Sequence, residues 1–160
     1  NQPGATPSPT APRPAPPRPR PGRPPPARRR AAENAIADAG LTPQDIDVVF
    51  ADAAGVPELD QAEAAAVTGL FGRRAVPVTA PKTMTGRLLA GGAALDVATA
   101  LLALREGVIP PTVNVRTPAP AYGLDLVVDQ PRDSNLRSAL VLARGFGGFN
   151  AALVLRRCDH

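Results

Sequence analysis

Tryptophan is absent from these 160 residues, tyrosine and methionine occur once each, and aromatics make up only 3% of the chain. So few rings cannot build the stacking platform that single-stranded nucleic acid requires, and no nucleic-acid partner is expected. Cys158 is the single cysteine, which excludes an intrachain disulfide, and with only His160 near it no metal site or cofactor is expected. No window holds the roughly 18 apolar residues of a membrane span, and no charged, apolar and small-residue sequence marks a secretory signal. A cytoplasmic location with no membrane contact is expected. The chain starts at Asn1 without an initiator methionine, which reads as a piece of something longer.

Acids are missing where the bases are densest. Residues 1–30 contain seven arginines and no acid, so a net charge of +4 leaves the other 130 residues at −3. Residues 1–28 also carry twelve prolines. Such a segment lacks both amides and apolar surface for packing, and is expected to be disordered or polyproline II. It reads as a solvated linker, although Pro-x-x-Pro spacings flanked by Arg13 and Arg18 suit an aromatic groove and the arginines suit phosphates.

From Ala27 the composition turns to Ala, Leu, Val and Asp. Helices are predicted over residues 28–39, stopped by Gly40, over 58–71, stopped by Gly72, and over 86–105, the last apolar almost all round and so buried between layers. Short apolar runs at 46–51 and 75–79 suit buried strands, and after the Pro110-Pro111 break further strands are predicted at 124–128, 138–143 and 151–156. Helices alternating with buried strands, then a closing strand pair, give a layered α/β fold over residues 29–160.

Four motifs carry chemistry. The first is Phe50-Ala51-Asp52-Ala53, followed by Pro57, Asp60 and Glu63, and the second is Pro81-Lys82-Thr83-Met84-Thr85-Gly86-Arg87. The third is Pro110-Pro111-Thr112-Val113-Asn114, and the fourth is Gly145-Phe146-Gly147-Gly148-Phe149-Asn150. Together, residues from about 31 to 157 resemble the C-terminal half of the thiolase-fold condensing enzymes. The likeness is greatest to the chain length factors, the non-condensing β subunits of type II aromatic polyketide ketosynthase heterodimers.

That resemblance implies half of a layered αβαβα thiolase-like fold, a ketosynthase α subunit and an acyl carrier protein as partners, and no cofactor. It also puts Asp52 and Arg87 where active ketosynthases carry histidines, with Lys82 retained. An imidazole titrates near neutrality and donates to a thioester enolate, whereas guanidinium stays charged and a carboxylate accepts hydrogen bonds and repels a malonyl carboxylate. No catalytic residue is therefore expected. Lys82 is expected to pair with an acid such as Asp52 or Glu63, and Arg87 to bond carbonyls or an acid. Phe146, Gly147 and Gly148 would form the family's gating loop or merely a tight strand connection. The competing readings are a divergent β-ketoacyl synthase performing decarboxylative Claisen condensation, and a Pro/Arg-rich recruitment module.

Overall fold

A computed structural model of the protein describes residues 26–158. The Pro/Arg-rich stretch before Pro26, with the readings attached to it, lies outside the described residues. Helix α1 spans Ala27–Asp38, starting one residue before the helix predicted over 28–39, and includes Arg28. It is followed by strand β1 (Val48–Phe50), α2 (Pro57–Phe71), β2 (Pro77–Thr79), α3 (Gly92–Glu106) and β3 (Val108–Ile109). The chain closes with β4 (Asp125–Leu126), β5 (Arg132–Asp133), β6 (Ser138–Arg144) and β7 (Asn150–Arg156).

Five strands form one sheet in the order β4-β2-β1-β6-β7, in which β1 runs parallel to β2 and β6, β2 parallel to β4, and only the β6–β7 pair is antiparallel. Successive side chains of a strand point to opposite faces, and β1 divides accordingly. Val49 and Ala51 pack with Ala32 and Ile36 of α1 and Val67 of α2. Val48 and Phe50 pack with Ala100, Ala103 and Leu104 of α3. Both faces are covered by helices, which is why the central strands read as continuous apolar runs. The result is a helix-sheet-helix unit, a mixed α/β arrangement as expected.

The third helix departs from expectation in two ways. It starts at Gly92, six residues later than residue 86, because Gly86 and Leu89 have φ of +77° and +49° and a right-handed helix cannot run through left-handed residues. Its outer face is open: Asp96, Ala100, Ala103 and Leu104 are buried, but Leu101 and Leu102 are 49% and 50% exposed. The helix ends at Gly107, whose φ of +68° and N–H bond to Ala103 O at 2.8 Å form a left-handed cap. A short antiparallel pair of β3 with β5 lies outside the predicted strands.

Candidate functional site

The carboxyl ends of β1, β2 and β6 meet on one edge of the sheet, the usual place for a site in a parallel arrangement. Asp52 follows β1 directly and is 4% exposed. Beyond β2, the turn Pro81–Met84 carries Lys82, and the irregular segment before α3 carries Arg87. The connection from β6 to β7 supplies the glycine-rich loop.

Asp52 is the buried centre of an ionic cluster at this edge, with Arg87, 37% exposed at its side chain, on the rim. Asp52 Oδ1 accepts the Arg144 N–H at 3.2 Å, and its Oδ2 lies 3.6 Å from Arg87 Nη2 and 3.7 Å from Arg28 Nη2. Arg87 also donates to Arg144 O at 3.2 Å, so it meets both an acid and a carbonyl. Glu63, on α2, accepts the N–H groups of Asp52 and Ala53, both at 2.9 Å, and pairs with Arg28. Arg28 in addition donates to Asn150 Oδ1 at 3.3 Å. Three cations, Arg28, Lys82 and Arg87, face three carboxylates, Asp52, Glu63 and Asp96.

Lys82 is a buried ion-pair partner, but of a different acid from those expected. Its Nζ bonds Asp96 of α3 and Ala51 O at 3.0 Å, and is bonded to neither Asp52 nor Glu63. The signal was available: Asp96 is the lone charged residue of a long apolar stretch, and such a charge has to find a partner inside. Arg28, taken for the last of the tail arginines, is the buried cation that Asp52 and Glu63 share. Burial pushes the Glu63 carboxyl above its ordinary range, opposed by Arg28 and by the two backbone N–H groups. Burial does the same to Asp96, opposed by Lys82.

Beside the cluster lies a cleft of about 590 Å³, lined by Leu59, Leu89, Arg87, Arg144, Gly147 and Gly148 among others. Gly147 and Gly148, two of the loop candidates, thus border it, at φ of +74° and +82°. The Phe146 side chain lies outside what the structure describes. Among the described residues no three His, Cys, Asp or Glu side chains gather as a metal site would need, and Cys158 is exposed. The charged groups at the cleft are a carboxylate already engaged by two guanidiniums and a backbone N–H, and arginines that cannot give up a proton.

The sequence model of the β-ketoacyl synthase C-terminal domain matches residues 18–116. The chain belongs to this family. It is 64% identical over 128 residues to the tetracenomycin polyketide synthase ketoacyl synthase beta subunit of Streptomyces glaucescens, covering 80% of this chain and 31% of that protein. Among solved structures, the ishigamide ketosynthase/chain length factor superposes with a TM-score of 0.80 at 30% identity, over 82% of this chain and 33% of that one. A type II polyketide synthase acyl-carrier protein in complex with its ketosynthase bound to the hexaketide gives 0.79 at 27% identity, over 85% and 34%. The chain therefore spans about a third of the length of these relatives. The fold of this ketosynthase domain is the thiolase-like one expected, and no helix of its described residues is long and apolar enough to cross a membrane.

Proposed function

We propose that the chain is the C-terminal domain of a non-condensing ketosynthase β subunit, a chain length factor. In this reading it pairs with a condensing α subunit and an acyl carrier protein in a type II polyketide synthase and contributes to setting polyketide length. The observation that carries the proposal is the contact between Asp52 and Arg87, the residues at the family's two histidine positions, at 3.6 Å. A condensing site needs uncommitted neutral donors to the forming enolate, held ready where charge develops. Here the two positions hold opposite charges paired with each other, and Asp52 also faces Arg28 and accepts the Arg144 N–H. Retained Lys82 serves as a structural cation for Asp96 and the Ala51 carbonyl. Similarity to a beta subunit and to a ketosynthase/chain length factor supports the same reading.

The competing reading, a divergent condensing enzyme, rests on Lys82 and the fold and is opposed by Asp52 and Arg87. The test uses the polypeptide that carries this chain, purified with and without a ketosynthase α subunit and supplied with malonyl-loaded acyl carrier protein. Expected are co-purification with the α subunit and polyketide formation only in its presence. Condensation of malonyl units by the β polypeptide alone, or failure to co-purify, refutes the proposal.

A further inference from the structure

A second cavity, of about 260 Å³, lies on the opposite face of the sheet from α3, between the carboxyl ends of β1, β2 and β4 and the loop that leads into β4. Its wall is apolar: Val78, Ala80, Val115, Leu124 and Leu126. Into this wall are set two carboxylates of α2. Glu63 is committed, with both oxygens bonded to backbone N–H groups and one also to Arg28. Asp60 is not. Its Oδ1 is buried without a hydrogen-bond partner, and no ion pair reaches it among the described residues. The ionic cluster at the carboxyl edge balances its own charges and leaves no cation over for it.

The geometry points to a binding site for a small primary ammonium with a compact apolar body. A mostly apolar cleft with a few polar groups, here Asp60, Glu63, Thr83, Thr112 and Tyr122, is the general form of a small-molecule site. The unpartnered Asp60 carboxylate only accepts, so its complement is a donor, and a charged donor offsets the desolvation of both partners best. The apolar body would lie against Val78, Leu124 and Leu126. This inference concerns a site separate from the cleft beside Arg87 and stands or falls independently of the chain length factor reading.

The test is titration of the full chain with 2-phenylethylamine, followed by calorimetry, and with 2-phenylethanol as the neutral counterpart of like shape. Saturable binding of the amine is expected, at least about tenfold tighter than the alcohol, because the charged hydrogen bond is lost in the latter. Asp60→Asn should weaken the amine by a similar factor, and Val115→Phe, which fills the cavity without touching Asp60, should abolish binding. Far-UV circular dichroism checks that each variant keeps its fold, and the amine–alcohol comparison needs no variant. Equal binding of amine and alcohol, unchanged affinity in Asp60→Asn or Val115→Phe, or no binding of the amine at all would each overturn the inference, the last meaning that the cavity holds solvent only.

Discussion

Replacing Asp96 by Asn should be among the most damaging changes available to this chain. Asp96 is fully buried and Lys82 is 5% exposed, so the variant strands an ammonium in the interior with only neutral acceptors, the Ala51 carbonyl and the new amide oxygen, and no countercharge bonded to it. At a charge separation of about 4 Å and an effective dielectric near 20, the lost attraction is about 4 kcal/mol. Measured losses on breaking a buried pair, about 3 to 5 kcal/mol, agree with that figure. With a urea m-value of about 1.5 kcal/mol/M for a domain of this size, the unfolding midpoint should fall by about 2 to 3 M.

The same geometry predicts the opposite result for a double replacement. Asp96 Oδ1 is buried without a hydrogen-bond partner, so the pair carries an unsatisfied acceptor costing about 1 to 3 kcal/mol. Lys82→Met with Asp96→Leu removes both charges and that orphan, and should be neutral or stabilising relative to the parent. Urea melts of the two variants decide the matter. A loss below about 1 kcal/mol in Asp96→Asn would mean that water screens the pair. A double variant as unstable as the single would mean that packing, not charge, sets the cost.

The pH dependence follows from the two raised carboxyls. A folded-state value above the unfolded one means the native state holds the proton more tightly, so the stability these groups contribute is fully present below their ordinary values of 4.5 for Glu63 and 3.8 for Asp96 and is lost as pH rises through the elevated ones. Stability should therefore decline as pH rises from about 4.5 toward neutrality, and Glu63→Gln should flatten that slope in urea melts across the range; an unaltered slope would remove Glu63 as its source. Ala53, held at φ +45° between the two N–H bonds to Glu63, offers a backbone test. A left-handed alanine costs about 1 to 2 kcal/mol and glycine's extra unfolded-state freedom offsets about half of the relief, so Ala53→Gly should stabilise by about 0.5 to 1 kcal/mol in the same melts. A destabilised variant would show that the methyl group's packing outweighs the strain.

Most of the layering was legible from local pattern because burial on both faces leaves a strong mark. Within the runs predicted at 46–51 and 138–143, residues 48–51 and 139–143 are apolar throughout, and they hold the adjacent parallel pair at the middle of the sheet. Glycine marked the helix ends at Gly40 and Gly72. The start of α3 was not legible: Leu89 is an ordinary helix former by type, and its left-handed backbone is imposed by tertiary surroundings rather than by its side chain. The β3–β5 pair consists of two-residue strands, too short to show a period of two. At the site, the resemblance brought Asp52, Lys82 and Arg87 to attention, and the fold does bring their elements to one edge. Arg28 escaped because it stands at the boundary of the tail, first of three consecutive arginines, and nothing in local sequence separates the one that turns inward.

Arg28 also changes what the cluster means. Each of the three cations is held by contacts drawn from different parts of the chain. Arg28 ties α1 to Glu63 on α2, to Asp52 after β1 and to Asn150 at the start of β7. Arg87 ties the segment before α3 to Asp52 and to the Arg144 carbonyl at the end of β6. Lys82 ties the turn after β2 to α3 and to Ala51. These contacts stitch the layers of the unit to the sheet edge by charges, and so make the edge a joint between three helices and the strand that leads into the glycine-rich loop. In a low dielectric such a joint holds only while its charges balance, so the two unusual residues are interdependent: Asp52 supplies the anion that a buried Arg28 and an inserted Arg87 require, and Arg87 supplies part of the countercharge that makes an aspartate tolerable after β1.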